Sequence, residues 1–311
     1  MRQASFLPLG RTLSKVVLGT SSMSRDNRTG AFALLDEWLR VGGNVLDTAQ
    51  AYGDGEAERV IGEYVESAGC RPDVAIITKG CHPIGDDSAR VTPMAISDDL
   101  SASLARLRTD YVDVYMLHRD DPSVSVAPII EALNQELEAG RVRSFGASNW
   151  SRHRLEEANA FAARSGLTGF SSSSCQLSLA VQQEPLCQGC LSAHDPADLE
   201  FHRRTKLPLV AWAALAGGFF REGPQPDPDV DRVYESPENR ERWRRASHLS
   251  RVMGMSRTQV ALAWLLSQDF PAFAVVATQR AEHLRELAAA SDVVLGAEQV
   301  AWLDLETQTP G

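Results

Sequence analysis

A closed barrel of eight parallel strands, each followed by a helix, is the fold class this sequence predicts, and three observations predict it. Short β-rich runs alternate with longer amphipathic segments, which implies parallel strands with right-handed crossovers. About eight such runs can be found, the number a closed parallel barrel needs. No GxGxxG turn follows the first run, which weakens the doubly wound open sheet as a rival. The 311 residues suit a barrel of roughly 250 residues plus insertions. The expectation is one (β/α)8 domain over residues 1–311 with long loops at the carboxyl ends of its strands.

The strand candidates in order are residues 15–19, 44–46, 74–78, 112–117, 142–146, 169–172, 208–212 and 273–276. Each is short and rich in Val, Ile, Leu, Phe or Ala. Helical patterns fall between them, at residues 31–39, 56–66, 92–107, 128–139, 152–163 and 256–266. The first of these stops before Gly42-Gly43, a helix-ending signal. Arg240, Arg242, Arg244 and Arg245 alternate with Glu238 and Glu241 and read as a solvated helix face. Three stretches exceed ordinary loop length: 81–90, 181–195 and the Gly/Pro-rich 217–237, whose 224–228 stretch reads as a stiff, mobile loop. All follow strand ends, so all belong on one face of the barrel.

Composition narrows the function classes. Hydrophobic residues make up 43% and charged residues 23%, as in ordinary globular proteins, and the net charge of −10 argues against nucleic acid or an anionic membrane as partner. The first ten residues hold one Arg and no apolar run, and no window approaches the roughly 20 apolar residues of a membrane helix. A cytoplasmic location is expected. Five cysteines read as free thiols in a reducing compartment. Cys187 and Cys190 form a CxxC with His194 and Asp195 nearby, but no second CxxC exists. They are expected to be ordinary loop cysteines, with a disulfide or metal site as the lesser reading.

Chemistry in such a barrel sits where the strands end. The second strand ends in Asp47, with Tyr52 five residues on; the third ends in Lys79 and the fourth in His118. The fifth ends in Ser148-Asn149, the sixth leads to Gln176, the seventh ends in Trp212 and the eighth in Thr278. Taken singly these have bland readings: Asp47 as a cap, Tyr52 as a surface aromatic, Lys79 as a solvated cation, His118 as a structural imidazole, Trp212 as filler of the barrel top. Together, the first four suit protonation of an oxygen that becomes negative as hydride reaches carbon. A phenol is protonated near pH 7, and a neighbouring ammonium is expected to lower its pKa. None of the four is a hydride source, so a cofactor must bring it.

The run from Gly43 through Asn44-Val45-Leu46-Asp47-Thr48-Ala49-Gln50-Ala51-Tyr52-Gly53 to Glu56 resembles a signature of the aldo-keto reductase family. So do Leu117-His118-Arg119-Asp120-Asp121-Pro122, Gly146-Ala147-Ser148-Asn149 and Thr78-Lys79. The resemblance covers residues 9–304. It implies NAD(P)(H) lying extended across the strand ends, Tyr52 as general acid, Lys79 and Asp47 tuning it, and His118 on the substrate carbonyl. It implies a cofactor-binding set of Gly19, Thr20, Asp47, Ser148, Asn149, Gln176, Trp212, Ala213, Leu215, Gly217, Gly218, Thr278, Gln279, Arg280, His283 and Glu286. Ser148, Asn149 and Gln176 would hold the nicotinamide carboxamide, and Trp212 would stack on its ring. At the adenosine end Arg280 remains, while Ala277, His283 and Leu287 depart from the family pattern. NADP(H) is therefore expected ahead of NAD(H), with weakened discrimination. The substrate is expected to be a small carbonyl compound or alcohol; Gln50 and Asp54 beside Tyr52 favour a hydroxylated one such as a sugar. Two other functions stay open: a lyase using Lys79 as a Schiff base, disfavoured because Asp47 would keep the amine charged, and a cofactor sensor with slow or no turnover.

Overall fold

In a computed structural model of the chain, which describes residues 1–84, 90–223 and 227–309, eight parallel strands close into a barrel. A hairpin comes first: β1 (Gln3–Phe6) pairs antiparallel with β2 (Arg11–Ser14). The barrel then alternates β3 (Val16–Gly19), α1 (Arg28–Arg40), β4 (Val45–Asp47), α2 (Glu56–Ala68), β5 (Ala75–Gly80), α3 (Pro93–Leu107), β6 (Val112–Leu117) and α4 (Val126–Glu138). It continues through β7 (Val142–Ser148), α5 (Arg152–Ser165), β8 (Ser173–Ser174), α6 (Pro196–Thr205), β9 (Leu209–Ala211), α7 (Pro228–Tyr234), α8 (Pro237–Met253), α9 (Arg257–Leu266) and β10 (Ala272–Val276). The chain then runs through α10 (Ala281–Ala290) and α11 (Ala297–Leu303), and β10 closes the ring against β3.

Two apolar layers hold this together. The larger lies between the strands and the helices and includes Trp38, Ile61, Leu100, Leu133, Leu155 and Leu262. The smaller fills the barrel: Val17, Val45, Ala75, Ile77, Val114, Met116, Val210 and Phe273, with Phe6 and Leu13 of the hairpin packed against it. Successive side chains of a strand alternate between faces. The inward series on three neighbouring strands therefore runs apolar and ends polar: Val45 then Asp47; Ala75, Ile77, then Lys79; Val114, Met116, then His118. The register sets Asp47 opposite Ile77, and Lys79 opposite Met116, so each polar end lies two residues beyond the partner of the one before it, and the three step along the strands toward the same mouth.

Several expectations are corrected. The sixth strand is Ser173–Ser174, not residues 169–172. The Asn159 side chain takes the backbone of Phe170, accepting from its N–H at 2.7 Å and donating to its carbonyl at 3.2 Å, which stands in for a strand partner. The hairpin and the helices α6, α7, α10 and α11 had no counterpart in the pattern. The Arg-rich run is helical, as α8, and Arg240 and Arg244 are exposed on it. Arg245, however, is buried and donates to the carbonyls of Trp302 and Thr307 at 2.6 and 2.7 Å. The long segment after β9 carries α7, while its residues 224–226, like residues 85–89 of the loop after β5, lie outside the described residues. Cys187 and Cys190 are joined in a disulfide and are not free thiols. Gly189, at φ 70°, turns the chain so that Cys190 N donates to the Cys187 carbonyl, bringing the two α-carbons to 5.5 Å. Cys70, Cys81 and Cys175 are free and buried.

Candidate active site

At the polar mouth the Lys79 ammonium is the hub. Its Nζ lies 2.7 Å from each carboxylate oxygen of Asp47, 3.0 Å from the Thr48 carbonyl and 3.3 Å from the Tyr52 hydroxyl. Asp47 and Lys79 are each 3% exposed. Burial works to lower the lysine pKa, but the charges and hydrogen bonds of Asp47 and Tyr52 outweigh it and hold the amine above its ordinary value. An amine kept protonated is a poor Schiff-base nucleophile.

The Tyr52 phenol departs from the sequence-based expectation. Lys79 does pull its pKa down, but burial, aided by the Asp47 charge, pushes harder and the net direction is up. The group is a firmly protonated acid next to a cation that would support its phenolate. The His118 ring stands edge-on to Tyr52 at 6.0 Å and edge-on to His82 at 4.7 Å. Burial, with the charges of Lys79, Arg119 and His82, holds this imidazole well below its usual range, so it is neutral near pH 7. Its Nδ1 is buried and has no partner among the described residues.

Beneath this cluster a second set of charges locks the strand. Thr78 donates to Glu58 at 2.5 Å, and Glu58, fully buried in α2, takes the Arg106 guanidinium at 2.6 Å. Gln50, expected near substrate, donates its amide to Asp99 at 3.0 Å. Asp54 lines a neighbouring hollow of about 530 Å³ with His82 and Arg106.

A cleft of about 790 Å³ runs from Tyr52 and Asp47 past Trp212 to Arg280 and His283. Of the other residues expected to bind cofactor, Gly19, Thr20, Ala213, Leu215, Gly217 and Gly218 also line it. Gly217 takes φ 61°, and a Cβ there would sit 2.6 Å from Val230, so only glycine keeps the turn and the close approach. Ser148, Asn149 and Gln176 lie buried at the ends of β7 and β8, outside the cleft lining. Asn149 donates to Ser148 Oγ at 3.0 Å and accepts from Leu191 N at 3.0 Å; Gln176 donates to Ser178 Oγ at 2.8 Å and accepts from Ser192 Oγ at 2.9 Å. Thr278 caps its own turn, accepting from Arg280 N at 3.1 Å, and lies with Gln279 in a smaller hollow beside α1. Glu286 accepts from Ser256 at the start of α9 and is also outside the cleft lining. Sequence reasoning missed Ser21, Arg221, Asp227 and Thr258 in the lining. Thr258, in the first turn of α9, has no local signal that could have marked it.

A family model described as the aldo/keto reductase family matches residues 15–305. This chain belongs to the aldo/keto reductase family, an oxidoreductase family. An aryl-alcohol dehydrogenase of Pestalotiopsis microspora is 30% identical over 87% of this chain and 70% of its own. An uncharacterized oxidoreductase, YrpG, of Bacillus subtilis is 28% identical over 97% of this chain and 96% of its own. Among solved structures, an aldo-keto reductase from Klebsiella pneumoniae in complex with NADPH superposes with a TM-score of 0.77 at 24% identity, covering 100% of this chain and 98% of that one. No described helix is long and apolar enough to cross a membrane.

Proposed function

We propose that this aldo/keto reductase reversibly reduces an aldehyde, ketone or sugar carbonyl to an alcohol with a nicotinamide cofactor. The observation that carries the reading is the buried Asp47–Lys79 pair with the Tyr52 hydroxyl 3.3 Å from its ammonium, at the head of a long cleft. The residues present fit a dinucleotide. Gly217 and Gly218, both at positive φ, bring bare backbone to the cleft wall, Trp212 has a buried indole N–H with no partner among the described residues, and Arg280 gives the far end a cation.

Hydride is what the reduced cofactor supplies, since no side chain of the site can donate one. Tyr52 gives its proton to the carbonyl oxygen as negative charge develops there. The Lys79 ammonium, held by Asp47, favours the phenolate that remains. His118, neutral, orients the oxygen by a hydrogen bond. Trp212, in the cleft wall, would stack on the nicotinamide ring. Ser148, Asn149 and Gln176, with Asn149 held by Leu191 N and Gln176 by Ser178 and Ser192, would hold its carboxamide. Leu215, Gly217 and Gly218, with Gly19, Thr20 and Ala213, line the cleft and would hold the pyrophosphate. Thr278, Gln279, Arg280, His283 and Glu286 belong to the adenosine end. Arg280 favours NADP(H) over NAD(H), in keeping with the NADPH bound by the Klebsiella protein.

The test is loss of reduced-nicotinamide absorbance with a panel of reactive aldehydes. Turnover is expected with both cofactors, better with NADPH, and Arg280→Ala is expected to narrow that preference by about tenfold. Tight NADPH binding without turnover of any aldehyde would favour the sensor reading.

A further inference from the structure

Two arginines near His118 sit in opposite circumstances. Arg154 on α5 reaches both oxygens of Asp120 at 3.0 and 3.2 Å, and Glu157 at 3.0 Å. Arg119, the residue after His118, is half-buried. Among the described residues its side chain meets the His118 carbonyl at 2.9 Å and the sulfurs of Cys187 and Cys190 at 3.5 and 3.3 Å, and no carboxylate. None of these carries a charge, because the two sulfurs are bonded to each other. Disulfide sulfur is a weak acceptor, and a guanidinium stays protonated at any physiological pH.

Among the described half-buried arginines, Arg2 and Arg242 also make no ion pair, but the charge of Asp292 acts on the first and those of Asp304 and Glu238 on the second, whereas no carboxylate acts on Arg119. Arg71 has Asp113 at 2.9 Å, Arg90 has Asp99 at 2.6 Å, and Arg106 has Glu58 at 2.6 Å. A charge drawn out of water without an anion is costly, so such a group is retained where an anion arrives. Lys79 offers no vacancy for one, since Asp47 matches its charge. The Arg119 charge also reaches the reacting phenol, where it helps pull the Tyr52 pKa down against burial.

We infer that Arg119 selects the substrate: the carbonyl compound reduced at Tyr52 carries a carboxylate, which the Arg119 guanidinium binds between His118 and the Cys187–Cys190 disulfide. This rests on the reductase reading of the same site. The planar fork of a guanidinium matches a carboxylate, and a single guanidinium balances that group's one negative charge but not a phosphate dianion's two.

The experiment is calorimetric titration of the full chain, in the presence of NADP, with 4-formylbenzoate and with benzaldehyde as its neutral counterpart. Both are also assayed for turnover with NADPH. Wild type is expected to bind 4-formylbenzoate at least about tenfold more tightly than benzaldehyde. Arg119→Gln should abolish the preference, and Arg119→Lys should keep part of it, in affinity and in the ratio of kcat/KM values. Equal affinities in wild type, or a preference that survives Arg119→Gln, overturns the inference. A carboxylate preference that depends on Arg119 without any NADPH consumption would uphold the anion site and remove the reductase reading. Turnover of both aldehydes without preference would do the reverse.

Discussion

The two mouths of the barrel are built from the same strands and do opposite things. At one end the inward side chains stay apolar, and the β1–β2 hairpin closes over them with Phe6 and Leu13. Phe6 meets Phe273 edge-to-face at 5.4 Å. At the other end the inward series finishes in Asp47, Lys79 and His118, and no element among the described residues seals it. Burial there is spent on charge: a carboxylate and an ammonium share two hydrogen bonds at 2.7 Å with 3% of each exposed. Buried ion pairs contribute little net stability, because desolvation offsets their attraction. The plugged end gives the barrel rigidity, and the open end uses that rigidity to hold groups that would be unfavourable alone.

The comparison is sharpened most by Lys79→Met. Removing the ammonium strands Asp47 as a buried charge, which should cost about 3–5 kcal/mol of stability in chemical denaturation, and turnover should collapse. Adding Asp47→Asn should recover much of the stability, since the pair is then neutral, and none of the turnover. Recovery of turnover in the double variant would mean that the pair's charge has no part in the chemistry. At the closed end, Phe6→Ala should cost about 3–5 kcal/mol, through the lost burial, the cavity and the lost ring contact with Phe273. Its kcat and KM should match wild type. A change in kcat would break the division of labour between the two ends.

The inward series is also where the sequence was most legible. Asp47, Lys79 and His118 each close a short apolar run, so reading strand ends found them before any geometry existed, and seven of the eight expected strand positions overlap the observed ones. Legibility failed where side chains override backbone patterns. Gly169 and Phe170 look extended, but Asn159 claims the Phe170 backbone. Arg245 matches its exposed helical neighbours in type, and only the fold shows that it is buried against the chain's end. The CxxC was read as two thiols because a three-residue spacing does not disclose the turn at Gly189. The direction of the Tyr52 pKa could not be read either: the Lys79 charge was visible in the chain, whereas the degree of burial opposing it exists only once the barrel closes.

Proton donation by Tyr52 is the claim on which the account depends, and it is tested most directly by Tyr52→Phe in a single-turnover experiment with excess enzyme, NADPH and a reactive aldehyde. The account predicts NADPH affinity within a few-fold of wild type and hydride transfer slowed by about a hundredfold or more, the usual scale of a general acid's contribution. Hydride transfer at the wild-type rate in Tyr52→Phe would contradict it.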